Sequence, residues 1–150
     1  MQRGISTLIF ICCIFLFTGC SLGGNPEVKE GFVSAMDAYQ DIWKSKNLTS
    51  AKSLADKAFS NEEIKQQVIA GYKANREIDQ GLDITDRKYN VSVIKYDDNE
   101  ASLKVRAYLK GYPISLTSGQ KLLEKKQDFS FGPHEFVIKK EQGIWKISSF

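Results

Sequence analysis

Residues 101–110, ASLKVRAYLK, constrain the fold more than any other segment, because apolar and polar side chains alternate along them without a break. The apolar set is Ala101, Leu103, Val105, Ala107 and Leu109. A period of two places this set on one face of a β-strand, whereas a helix would spread it around its circumference. The sequence therefore predicts a half-buried strand, typical of an antiparallel sheet that faces water on one side.

The segment before this strand, residues 88–96 (KYNVSVIKY), also alternates and is rich in β-branched residues. Residues 97–100, DDNE, have the composition of a turn, so we predict a β-hairpin. Residues 79–87 contain Gly81 and are predicted to form a loop that leads into the hairpin.

The C-terminal part of the chain predicts two further strands. Residues 128–140 form one of them, with a bulge or bend at Gly132 and Pro133. The dipeptide Gln142–Gly143 is a tight turn into the last strand, IWKISSF. Residues 111–126 are interrupted by proline and glycine, and we predict a short helix or a loop there.

Three helices are predicted before the sheet. The first covers residues 26–45, with Asn25 as its N-cap. Its apolar stripe is Val28, Phe32, Met36, Tyr39 and Trp43. The second covers residues 48–59, and the third begins at a capping box formed by Ser60 and Glu63.

Three helices followed by an antiparallel meander resemble the nuclear transport factor 2-like superfamily, also called cystatin-like. The segments that carry the resemblance are NEASLKVRAYL, residues 99–109, and GIWKI, residues 143–147. The resemblance implies an α+β fold in which three N-terminal helices pack on a curved antiparallel sheet of about four strands, with a cone-shaped cavity. It covers residues 26–150, which we expect to form a single α+β domain.

The N-terminus has the charged-then-apolar order of a secretory signal, with Arg3 followed by ten apolar residues at positions 8–17. Residues 17–20, Phe-Thr-Gly-Cys, resemble the lipobox of bacterial lipoproteins. This resemblance implies a signal peptide over residues 1–19, a diacylglyceryl group on Cys20, and an amine there that often carries a fatty acid such as palmitate. Residues 20–25 would be a short tether. A signal cleaved without lipidation and an uncleaved anchor are the alternatives.

Several classes of function are excluded by composition. The net charge of +3 comes from 21 basic residues scattered among 18 acidic ones, so we expect no nucleic-acid partner. All three cysteines lie in the first twenty residues, and His134 is the only histidine, so we expect neither a metal site nor a cofactor.

A cone-shaped cavity would be bordered by aromatic residues and the histidine: Tyr39, Trp43, Tyr72, Tyr108, His134 and Trp145. No residue-by-residue catalytic motif of the superfamily is present, so we expect no enzyme. The leading hypothesis is an extracytoplasmic lipoprotein, anchored to a bacterial membrane through Cys20, that binds a protein of the envelope or a second copy of itself. The first alternative is a carrier or sensor of an apolar small molecule, and the second is a small isomerase-like or hydrolase-like enzyme.

Overall fold

The structure, a computed structural model, describes residues 25–150. The predicted signal peptide, Cys20 and most of the tether lie outside the described residues. Three helices come first: α1 (Pro26–Ile42), α2 (Leu48–Ala58) and α3 (Glu62–Glu77). None of the helices formed by residues 25–150 has both the length and the hydrophobicity needed to cross a bilayer.

Each helix begins after an asparagine whose side-chain oxygen accepts a backbone N–H, which satisfies a donor that the first turn leaves free. Asn25 confirms the predicted cap of α1. The predicted cap of α3 at Ser60 is wrong, because Asn61 accepts from the backbone of Glu63 and Ile64. Ser60 instead donates its backbone N–H to the Ile147 carbonyl and so holds the chain against the last strand.

Five antiparallel strands follow: β1 (Gly81–Tyr96), β2 (Glu100–Ile114), β3 (Gln127–Asp128), β4 (Phe131–Glu141) and β5 (Ile144–Ser149). Their order is β1-β2-β4-β5, and the short β3 pairs with the second half of β2 beyond the end of β4. The sheet curls into a half-barrel, which confirms the predicted α+β class of three helices and an antiparallel sheet.

Two regions predicted to be irregular are partly strands. The loop prediction for residues 79–87 is wrong from Gly81 onward, and the prediction for residues 111–126 is wrong up to Ile114, whereas residues 115–126 lie outside the named strands as predicted. β1 begins at Gly81 rather than at residue 88, and β2 continues to Ile114. The two errors have one cause, since residues 81–84 pair with residues 111–114 at the open end of the same hairpin. Gly81 and Pro113 disfavour strands locally, but the continuous ladder of the hairpin overrides that preference.

The other predicted turns are confirmed. Asp97 accepts hydrogen bonds from the backbone N–H groups of Asn99 and Glu100, which closes the β1–β2 turn. Gln142 and Gly143 have φ of 51° and 80°, as a two-residue hairpin turn requires. The pairing of β2 with β4 shifts register between Val105 and Ala107, opposite Gly132 and Pro133, which confirms the predicted bulge or bend. The predicted strand over residues 128–140 is interrupted at residues 129–130, between β3 and β4.

Helix α1 covers the concave face of the sheet and packs against β5 and β1. Its contact with β5 is close, because a Cβ on Gly31 would lie 2.6 Å from the Trp145 side chain. The shared core consists of apolar side chains from both layers, among them Phe32, Met36, Leu103, Ile138 and Ile147. The helix and the sheet thus bury one another's apolar faces, and the spaces left between them are where a ligand could bind.

Candidate functional site

Two cavities open on the concave side of the sheet, each with a volume of about 460 Å³. Tyr39 of α1 and Phe131 of β4 line both of them. The volume falls in the range of small-molecule pockets, which is about 300 to 1,000 Å³. We call them the apolar cavity and the amide cavity after the side chains that distinguish them.

The apolar cavity is enclosed by α1, the end of α2, and strands β4 and β5. Its lining is Met36, Tyr39, Phe59, Phe131, His134, Glu135, Phe136, Ile147 and Phe150. Phe59 is fixed there because it bridges to Ile147 immediately after α2 ends. The rings of Phe59 and Phe150 lie 6.3 Å apart, and Phe150 is also 5.9 Å from Phe136. Aromatic rings therefore form much of this wall.

His134 is exposed at the apolar cavity and stacks on Phe131, with 5.9 Å between the ring centroids and 19° between the planes. Its neighbour Glu135 pairs with Lys104 in the register, so the Glu135 side chain belongs to the opposite face of the sheet. No side chain of residues 25–150 forms a hydrogen bond with His134 that would orient it for proton transfer.

The amide cavity lies between the C-terminal end of α1, the end of α3 and the strands around β3. Its lining is Tyr39, Gln40, Trp43, Asn75, Gln80, Gly81, Leu82, Leu109, Pro113, Phe129 and Phe131. The Leu82 N–H donates to the Trp43 carbonyl at 2.9 Å and joins the start of β1 to the end of α1. None of these lining residues carries a formal charge, and three carry a carboxamide.

Tyr39 separates the two cavities. Its ring meets Trp43 on one side at 5.9 Å and Phe59 on the other at 5.4 Å, both edge to face. Such pairs hold aromatic rings in defined orientations. Burial raises the pKa of the Tyr39 hydroxyl, so it stays protonated and keeps its O–H donor at physiological pH.

The structure brings together three of the six residues predicted to border a cavity: Tyr39, Trp43 and His134. Tyr72 is fully buried in the core, where its hydroxyl donates to the Ser45 carbonyl at 2.8 Å. Trp145 is also a core residue, and its Nε1 donates to the Glu27 carboxylate, which Lys140 contacts as well.

Tyr108 lies on the outer face of the sheet and is 44% exposed. The alternation along β2 already indicated this position, because the neighbouring Ala107 and Leu109 are buried on the opposite face. It lines neither cavity.

Sequence reasoning missed Gln40, which is 5% exposed and lines the amide cavity. Gln40 follows Met36 by four residues and Phe32 by eight, so it falls on the apolar stripe of α1. A polar residue on the apolar stripe of a helix is unusual, and this signal in the sequence could have identified Gln40 as a candidate site residue.

A polar cluster joins α1 to β1 outside the two cavities. Arg87 donates to Asp41 at 2.6 Å and to Asp37 at 3.4 Å, and the Tyr89 hydroxyl donates to Asp37 at 3.2 Å. Burial alone would raise the pKa of Asp41, but the hydrogen bond and charge of Arg87 hold it below its ordinary value. Burial and the nearby Asp37 carboxylate raise the pKa of Tyr89. The cluster fixes the helix on the sheet.

The described part of the chain contains no group of three or more His, Cys, Asp or Glu residues placed to hold a metal ion.

Comparisons with known proteins find a similar protein sequence and a solved structure with a similar fold. No protein-family model matches the chain. Over 114 residues it is 25% identical to the SPbeta prophage-derived uncharacterized protein YopA of Bacillus subtilis strain 168. The match covers 76% of this chain but only 26% of YopA, so the chain spans about a quarter of that relative's length.

Among solved structures, the intermembrane space region of the chloroplast protein ARC6 superposes with a TM-score of 0.55 at 12% identity. The match covers 84% of this chain and 95% of the ARC6 region. A de novo designed β-sheet protein matches with a TM-score of 0.38 at 15% identity over 83% of this chain and 88% of the design, which is too low to support an argument. The chain therefore shares its α+β fold with the ARC6 region.

Proposed function

We propose that the chain is a non-catalytic binding module, held at the outer side of a bacterial membrane by a lipid on Cys20, and that it binds another component of the envelope or a second copy of itself. The observation that carries the binding role is the concave face. It presents two pocket-sized cavities lined by apolar and aromatic side chains, and His134 has no partner there that would orient it as a base.

The membrane location rests on the sequence at residues 17–20. If Cys20 is lipidated, two acyl chains anchor the protein stably, whereas one would hold it only marginally. The five residues from Ser21 to Asn25 span at most about 17 Å when fully extended. The domain would therefore stay close to the lipid headgroups, and its partner would have to be accessible there.

Site-specific photocrosslinking of the full chain in bacterial membranes tests this function. A photoreactive amino acid at Phe150, which is 64% exposed and lines the apolar cavity, is expected to yield a defined protein adduct. The matched control is the same amino acid at Ile94, which is 55% exposed and lines neither cavity. Equal adducts from both positions, or turnover of a small molecule without any adduct, would contradict the proposal.

Cys20→Ser tests the anchor separately. The variant is expected to remain uncleaved or unlipidated, because it lacks the thiol that would carry the lipid. Intact-mass analysis of wild type and variant measures this. A wild-type protein whose first residue is not a lipid-bearing Cys20 would contradict lipidation and leave the concave face as a binding surface in a protein with a different location.

A carrier of an apolar small molecule is the second candidate, favoured by the lining of the apolar cavity. Met36, Phe59, Phe136 and Ile147 offer an apolar ligand contacts without unpaired polar groups. Native mass spectrometry of protein purified from its host is expected to show a bound species that organic solvent removes. Protein that shows no adduct after isolation from membrane extracts would argue against a carrier.

A further inference from the structure

The amide cavity is distinguished by what its lining contains and by what it lacks. The lining of this space of about 460 Å³ includes four aromatic residues and three residues that carry a carboxamide, and none of the lining residues is charged. The carboxamides are Gln40, Asn75 and Gln80. Each combines two N–H donors with a carbonyl acceptor, so the set can hydrogen-bond in both directions.

Gln40 is the most informative of the three. It is 5% exposed, and its one side-chain hydrogen bond within residues 25–150 runs from Nε2 to the Met36 sulfur over 3.8 Å. No fully buried side-chain oxygen or nitrogen in those residues lacks a partner, so the Gln40 carbonyl oxygen keeps some accessible surface, and the amide cavity is the space that Gln40 lines. If the amide is turned over, its nitrogen takes that place. Either way a buried residue that lines the cavity keeps an accessible polar atom without a hydrogen-bond partner in residues 25–150.

The rings complete the site. Tyr39 comes from α1 and Trp43 is its C-cap, while Phe129 lies in the link between β3 and β4 and Phe131 begins β4. The face of an aromatic ring carries partial negative charge, so it attracts C–H groups that bear partial positive charge. An occupant that matches this lining needs C–H surfaces on its faces and hydrogen-bonding groups on its edges.

We infer that the amide cavity is a binding site for an uncharged saccharide. A sugar ring offers C–H groups to the aromatic side chains, and its hydroxyl groups both donate to and accept from carboxamides. A carboxylate or ammonium ligand would be desolvated without an opposite charge among the lining residues. A purely apolar ligand would leave the polar atom of Gln40 that has no partner without water as well, which is costly. The inference does not depend on the lipid or on what occupies the apolar cavity.

Side-chain amide signals in NMR spectra test the site directly. Cellobiose, lactose and N,N′-diacetylchitobiose are each titrated into the ¹⁵N-labelled full chain in detergent micelles. At least one is expected to shift the side-chain N–H₂ signals of Gln40, Asn75 and Gln80. Gln67 is the internal control, because its amide is exposed on α3 and bonds to Glu63 away from the cavity. Absence of shifts with all three sugars would overturn the inference, as would shifts confined to residues of the apolar cavity.

Charge and the Gln40 amide are then tested one at a time. Cellobiouronic acid, which is cellobiose with one primary alcohol oxidised to a carboxylate, is expected to bind at least tenfold more weakly than cellobiose if cellobiose binds. Gln40→Met keeps the length of the side chain and is expected to weaken sugar binding about tenfold. Gln67→Met is the matched control and should bind the sugar as the wild type does. If Gln40→Met fails to fold, Asn75→Ala replaces it.

Two outcomes would overturn the inference. One is equal affinity for cellobiose and cellobiouronic acid, and the other is wild-type sugar affinity in Gln40→Met or, where that variant does not fold, in Asn75→Ala.

Discussion

The apolar cavity and the amide cavity have the same volume, share Tyr39 and Phe131, and differ in chemistry. The difference begins on α1, where Met36 lines the apolar cavity and Gln40, one turn later, lines the amide cavity. It is completed by the neighbouring helices, since α2 brings Phe59 to the first and α3 brings Asn75 to the second. One helix on one curved sheet thus produces two different environments, because successive turns of the helix present different side chains to the sheet.

The contact that holds both cavities together is expected to give the largest effect when it is removed. Trp145 lines neither cavity, but it is 5% exposed and packs against Gly31, where α1 meets β5. Trp145→Ala should lower the free energy of unfolding by about 3 to 5 kcal/mol, as measured by urea denaturation. Tyr108→Ala, on the exposed outer face, should change it by less than about 0.5 kcal/mol. Similar losses in the two variants would show that Trp145 does not fix the helix on the sheet.

Exchanging a polar and an apolar side chain between the two cavities should change the free energy of unfolding by a smaller amount. The cost should differ between the two cavities. Met36→Gln places a carboxamide at a 2% exposed position in the apolar cavity and should destabilise by about 1 to 3 kcal/mol. Met36→Leu is the volume control and should cost less than about 1.5 kcal/mol. Gln40→Met should be close to neutral for stability, because an apolar group replaces an amide that has only a thioether as partner. Equal costs for Met36→Gln and Gln40→Met would mean that the two environments do not differ.

The cluster beside the cavities should give the smallest effect and one that depends on pH. The pKa of Asp41 is lowered in the folded state, so its pairing with Arg87 stabilises above the unfolded pKa near 3.8 and is lost as pH falls through the folded pKa. Asp41→Asn should therefore cost at most about 1 kcal/mol at pH 7, and the difference from wild type should shrink toward zero below pH 3.8. Urea denaturation of the variant and the wild type at pH 7 and again below pH 3.8 measures this difference in stability. A difference that stays constant with pH would indicate a loss of packing instead.

Much of the fold could be predicted because local pattern and final structure agree. Alternation identified β2 from Ala101 to Leu109, and periodicity identified α1 with its cap at Asn25. The misses occur where distant residues decide the outcome. Gly81 forms a strand because it pairs with Ile114, and Ser60 is not a cap because Ile147 accepts its N–H. Both partners lie far away in the sequence, so the residues next to Gly81 and Ser60 could not have predicted these interactions.

The site was less predictable than the fold, for a different reason. Aromatic residues are easily identified, but the sequence does not say whether a ring fills the core or faces a space. Tyr72 fills the core, while Tyr39 faces two cavities. Gln40 shows the reverse case, since an amide on an apolar stripe violates the pattern of its helix. Such violations are where function is expected to override local preference.

The wall shared by the two cavities has a thermodynamic consequence. Because Tyr39 and Phe131 border both spaces, a rotation of either ring that enlarges one space takes volume from the other. Two occupants would then influence each other's affinity, and by linkage the factor would be the same in both directions. Such coupling would act across the width of a single aromatic ring, because Tyr39 and Phe131 are the only residues among 25–150 that line both cavities.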